Sequence, residues 1–202
     1  MDIENERLEQ QIRFISEIDK LKAVNRRSYI LGGERLENTA EHSWHILVLA
    51  MVLAEYTNQP VDLLHVLEIL AVHDLVEIDA GDTFCYDEQG NQSKAERETQ
   101  AAERIFGLLP EDQGKAFHAL WREFEERSTA ESKFANAMDR TMPLLHNYYA
   151  QGRPWQEHDI HSDQVHGRVA PIRDGSQTLW EYAQTVIEDS VTKGYLSSAE
   201  GV

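Results

Sequence analysis

The chain has 202 residues, of which 41% are apolar and 27% charged, with only 5 Pro and 11 Gly; this is enough sequence for one globular domain over 1–202 with a real core, and it leaves little room for long disorder. Its 36 acidic against 19 basic residues give a net charge of −17, which repels nucleic-acid polymers and anionic membranes at long range. No apolar run reaches the roughly 20 residues of a bilayer span. The amino-terminal MDIENERLEQQIRF lacks the basic-then-apolar order of a secretory signal, and Cys85, the single cysteine, allows no internal disulfide; a cytoplasmic setting without a membrane partner is expected.

Helical spacing governs most of the chain. Residues 3–23 repeat apolar positions at Leu8, Ile12, Ile15, Ile18 and Leu21, and a polar, glycine-containing loop follows at about 25–38. A strongly apolar helix is predicted over about 40–56. Pro60-Val61-Asp62 opens the next, which runs to about 80 and stops at Gly81, a residue suited to a left-handed cap. Residues 83–92 read as a loop, and helices are predicted at about 93–107, 111–126 (after Pro110) and 129–150, the last stopped by Gly152-Arg153-Pro154. The stretch 153–176 is mixed, with one short helix, before a final helix at about 176–193. No period-2 strand run, repeat or low-complexity linker is visible. The expectation is an all-α bundle of about six or seven helices, with a core at about 8–152 and a C-terminal helical extension at 153–202 packed on it. Apolar helices of this kind also suggest a homodimer.

One helix contradicts its own environment. VDLLHVLEILAVHDLVEIDA, at 61–80, is apolar on almost every face yet carries His73, Asp74 and Glu77. A helix apolar all round belongs inside a bundle, where an ionisable group is costly unless it is paired or bound to metal. His42 opens the apolar helix 40–56, and Asp139 lies in the run FANAMDR of helix 129–150, so ligand-type residues recur in apolar helices. A second His-Asp pair, His158-Asp159, falls in the polar run QEHDIHSDQVHG, where solvated loop residues are the default and the irregular spacing of the histidines fits no metal site.

Read in order, EHS at 41–43, HDLVEIDAGD at 73–82 and AMDR at 137–140 resemble the H…HD…D pattern of the HD-domain superfamily of metal-dependent phosphohydrolases, and more narrowly its small 5′-deoxynucleotidase branch. The resemblance covers nearly the whole chain. It implies an HD-type fold with one divalent metal ion held by His42, His73, Asp74 and Asp139, and it matches Glu77 and Asp82 to the acidic pair that helps position or activate the attacking water. It also implies phosphate and sugar contact by Arg26 in VNRRSYI, with Arg27 an equal candidate and Tyr29 standing where relatives carry tryptophan. Lys94 in SKAERE is a further candidate phosphate contact.

The residue types suit that chemistry. Imidazoles and carboxylates suit Mn, Co, Ni, Fe or Zn, with Mg also open. Two His and two Asp leave coordination positions for water and a phosphate oxygen. Glu77 lies three residues beyond Asp74 and four beyond His73, and so on the same helical face. The expected activity is release of phosphate from a small phosphorylated substrate, above all a deoxynucleoside 5′-monophosphate. The alternatives are another phosphomonoester, a cyclic nucleotide phosphodiester, or a non-catalytic nucleotide-binding module.

Overall fold

The computed structural model describes residues 3–199. Eight long helices run along them: α1 (Ile3–Ile18), α2 (Thr39–Leu53), α3 (Leu63–Val72), α6 (Lys94–Phe106), α7 (Glu111–Glu126), α8 (Ala130–Tyr149), α10 (Ser162–Val169) and α12 (Gln177–Thr192). Four short ones are interspersed: α4 (Glu77–Ala80), α5 (Glu88–Gln92), α9 (Arg153–Glu157) and α11 (Ile172–Gly175). The fold is all-α, with more helices than six or seven because 83–92 and 153–176 break into short helical turns where a loop and one helix were expected.

The expected loop at 25–38 instead holds a small antiparallel pair, β1 (Asn25–Tyr29) and β2 (Leu36–Asn38), with Asn25 opposite Asn38 and Tyr29 opposite Leu36. Gly32 and Gly33, at φ +104° and +72°, carry the reversal between them. The strands escaped notice because their inward residues are polar: Arg26, Ser28 and Glu37 are all buried, so no apolar alternation marks the period of two.

The predicted helix over 61–80 is interrupted at its functional residues. Leu75 N–H donates to Val72 at 3.1 Å and Glu77 N–H to Asp74 at 3.0 Å, so the backbone tightens to i→i+3 bonding between α3 and α4. Three residues per turn eclipse side chains three apart, which brings Glu77 over Asp74 rather than over His73. Gly81 closes α4 at φ +72° and ψ 154°, a positive φ open mainly to glycine.

Two apolar clusters meet at this turn. One gathers Ile46, Ile69, Leu70, Phe134 and Met138 from α2, α3 and α8 with Ile172 and Ile187 from α11 and α12. The other joins Phe14, Val72, Leu75, Ile105 and Trp121. Leu70 and Ile69 are fully buried, and truncation of such a side chain to Ala costs about 2–5 kcal/mol; the His73-Asp74 segment is therefore wedged on both sides. In α1 the inward residue is Phe14, 3% exposed, while the repeat Leu8, Ile12, Ile15 faces outward at 53–58%.

Candidate metal centre

Three elements aim side chains at one point. Asn38 caps α2 through a reciprocal box, its side chain accepting from Glu41 N–H at 3.0 Å while the Glu41 carboxylate accepts from Asn38 N–H at 3.2 Å. That fixes the first turn of α2, which carries Thr39 and His42, both fully buried. Asp62 caps α3, whose end delivers His73. Asp139 sits midway along α8, which starts at a Thr129 cap.

The imidazoles are oriented from behind. His73 Nδ1 lies 2.8 Å from the Leu70 carbonyl; a carbonyl only accepts, so Nδ1 carries the proton and Nε2 presents a lone pair. His73 Nε2 is buried without a hydrogen-bond partner, although Asp74 Oδ2 is 3.1 Å away. His42 Nε2 stands 3.1 Å from Asp139 Oδ1 and 4.0 Å from Asp74 Oδ2. Its Nδ1 faces Glu37 Oε2 at 3.5 Å. Ligand atoms of His42, His73 and Asp139 all lie within 4.8 Å of one another, and Asp74 Oδ2 stands beside the two imidazoles.

Donor atoms spaced this closely, one of them an orphaned nitrogen, match two imidazoles and two carboxylates around a single cation, whose bonds of about 2.1 Å put neighbouring ligands roughly 3 Å apart. The residues fit a divalent metal, which would be held by His42, His73, Asp74 and Asp139. A carboxylate or carbonyl behind each ligating imidazole is the usual outer support.

The electrostatics of the cluster follow from burial against pairing. Burial works against ionised Asp74 and Asp139, yet His73 and Arg26 hold the first below the usual carboxylate range, and His42 and Arg168 hold the second well below it. Burial also opposes charge on His73, but Asp74 and Asp139 outweigh it and lift it to about 9. Glu77 is pushed well above its ordinary value by burial and by Asp74, and Thr39 Oγ1 donates to its Oε2 at 2.9 Å. Asp82 is raised by burial, with Asp74 adding and Arg26 opposing.

Of the two candidate arginines, Arg26 points inward from β1 and donates to Asp74 Oδ2 at 2.9 Å; Arg27 lies on the outward face of that strand. Lys94 Nζ stands 3.5 Å from Glu98 Oε1 on the wall of the same polar cavity. That cavity, about 520 Å³, is lined by His73, Asp74, Glu77, Asp82, Asp139 and Arg26 among others. It adjoins a second of about 690 Å³ walled by Phe84, Tyr86, Leu144, Trp155 and Val165. Arg26, Asp82, Thr83, Arg140 and Arg168 border both. His158 packs on Phe84 with ring centroids 4.6 Å apart, and His161 caps α10; neither belongs to a metal-type grouping among the described residues.

Sequence reasoning passed over Glu37, Arg140 and Arg168. Arg140 follows Asp139 directly in AMDR and Glu37 precedes the Asn38 cap, so proximity in sequence was the available signal. Arg168 lies 29 positions from Asp139 and carries none.

An HD domain family model matches residues 18–180. The human 5′-deoxynucleotidase HDDC2 is 30% identical over 135 residues, covering 66% of this chain and 65% of that protein's length. The 5′-deoxynucleotidase hdd1 of Schizosaccharomyces pombe is 26% identical over 92% of this chain and 86% of its own. A crystal structure from Magnetospirillum magnetotacticum MS-1, named a predicted metal-dependent phosphohydrolase, superposes with a TM-score of 0.93 at 45% identity, covering 97% of this chain and 98% of that one. The buried imidazole-carboxylate cluster and these likenesses agree, and the chain belongs to the HD-domain family.

Proposed function

We propose that the chain hydrolyses deoxynucleoside 5′-monophosphates, with His42, His73, Asp74 and Asp139 as metal ligands. The observation that carries this reading is the junction of a buried four-donor cluster with a cavity walled by Phe84, Tyr86 and Trp155. Aromatic walls of this kind accept a nucleoside, while the adjoining polar cavity accepts its phosphate. The names of the human and fission-yeast relatives point to the same substrate class.

When bound, the metal supplies Lewis-acid polarisation of the phosphoryl group and a lowered pKa for water. The remaining work falls to side chains. Glu77, fixed by the Thr39 hydroxyl, positions the attacking water. Asp82 borders both cavities, within reach of the leaving sugar oxygen as a proton donor, and burial raises its pKa in the direction that role needs. Arg26, pinned to Asp74, sets the carboxylate in place and contributes positive charge beside the transferring group.

The test is phosphate release from a panel of deoxyribo- and ribonucleoside 5′-monophosphates, with Mn, Co, Mg or Zn added to metal-stripped protein. Turnover selective for the deoxy series, abolished in Asp74→Ala, is the expected result. No turnover in any combination would overturn the reading.

A further inference from the structure

Charge is distributed unevenly over the site. Arg26 is surrounded: Asp74 Oδ2 accepts its hydrogen bond at 2.9 Å, and carboxylate oxygens of Glu37, Asp139 and Glu77 stand at 3.9, 3.9 and 4.0 Å. Lys94 has Glu98. Two further guanidinium groups have only one carboxylate oxygen between them, and neither hydrogen-bonds it. Arg140 Nη1 is 3.6 Å and Arg168 Nη2 3.8 Å from the same oxygen, Asp139 Oδ2, both beyond hydrogen-bond length. The other oxygen of Asp139 faces His42.

Arg140 is built into place rather than left loose. It is 5% exposed, and its Nη1 donates to Asn136 Oδ1 at 2.8 Å; Asn136 in turn donates to the carbonyls of Phe124 and Ser132. Its Nε is buried with no partner at all. Arg168 approaches from α10, which packs against α8, with a third of its side chain exposed. Both residues border the polar cavity and the aromatic one, at the boundary where a phosphate meets the group it esterifies.

We propose that Arg140 and Arg168 form a paired-guanidinium clamp for a terminal phosphate dianion, and that this clamp restricts the site to phosphomonoesters. The inference deepens the hydrolase reading above and rests on it for the identity of the reaction. A terminal phosphate brings two charges and three non-bridging oxygens, enough to engage two guanidinium forks beside a metal. A diester brings one charge and two such oxygens. It would leave the two guanidinium groups with the single carboxylate oxygen of Asp139 between them, and the buried Nε of Arg140 without an acceptor. Cyclic nucleotides are excluded on the same ground.

The experiment is calorimetric titration of metal-loaded protein with inorganic phosphate and, separately, with dimethyl phosphate, at a pH well above the second ionisation of inorganic phosphate so that its dianion is the species bound. Inorganic phosphate is expected to bind at least about tenfold more tightly than the diester, and Arg168→Met to weaken phosphate by about ten- to one-hundredfold while leaving the diester nearly unchanged, from the usual strength of hydrogen bonds to charged groups. Arg140→Met should act in the same direction; because Arg140 is buried and its loss also strains the fold, Arg168, a third exposed, carries the decision. A folded Arg168→Met that binds phosphate like the parent protein overturns the clamp, as does equal affinity for the two probes. Arginine-dependent phosphate binding without nucleotide turnover leaves the clamp standing and removes the deoxynucleotidase reading. Turnover together with arginine-independent phosphate binding does the reverse.

Discussion

At the scale of single residues, the site depends on groups that never meet the substrate. Glu37 is 2% exposed, and its Oε2 is approached by His42 Nδ1 at 3.5 Å, His146 Nδ1 at 3.6 Å and Arg26 Nε at 3.9 Å. Behind a ligating imidazole, such a carboxylate keeps the proton on Nδ1 and the lone pair on Nε2. Burial alone would raise Glu37, yet His42, His146 and Arg26 beside it hold it below the ordinary glutamate value, so it stays ionised for that task. Glu37→Gln is expected to weaken metal binding by about tenfold, the lower end of the usual range, because an amide oxygen would still stand beside His42 Nδ1. Competition titration against a metal indicator measures it, and an unchanged affinity in a folded variant would remove Glu37 from the outer shell.

At the scale of elements, caps and tight turns convert chain direction into site geometry. The Asn38–Glu41 box sets the phase of α2 so that His42 arrives at Asp139 one turn later. Asn38→Ala should cost about 1 kcal/mol of stability, read as a lower unfolding midpoint. Because the same turn holds Thr39 against Glu77, it should also lower metal affinity and turnover. A stability loss with site properties untouched would show that the cap serves the helix alone. The i→i+3 bonds between α3 and α4 are a second such device, stacking Asp74 and Glu77 instead of spreading them along a regular helix.

At the scale of the whole molecule, the buried acidic cluster ties stability to metal and pH. In protein stripped of metal, His73 rises from 6.5 unfolded to about 9 folded. Its contribution is therefore complete below pH 6.5 and is lost as pH climbs through about 9. Glu77 and Asp82 are raised as well, so their ionisation also favours unfolding as pH rises. Asp74 and Asp139 are depressed, and their contribution is lost only in acid. Metal-stripped protein should thus lose a few kcal/mol between mildly acidic pH and pH 9, on the scale of about 1.4 kcal/mol per pKa unit. Metal, taking the place of the proton on His73 Nε2, should flatten that decline and raise the unfolding midpoint. Parallel pH profiles for stripped and loaded protein would contradict this account of the cluster.

Read alone, the sequence determined the all-α architecture, because apolar residues at helical spacing make that pattern local. It also determined the HD family, through the ordered EHS, HDLVEIDAGD and AMDR segments, whose polar residues sit in helices otherwise too apolar to tolerate them. Tertiary structure decided what depends on long-range pairing. It turned polar 25–38 into a hairpin, since Arg26 and Glu37 face inward toward partners supplied by α2, α3 and α8. It turned Arg26 inward and Arg27 outward, because neighbouring residues of a strand face opposite ways. It brought Arg168 within 3.8 Å of Asp139 Oδ2 across 29 positions of chain. No local pattern encodes that meeting, because it is produced by the packing of α10 against α8 over a shared apolar core.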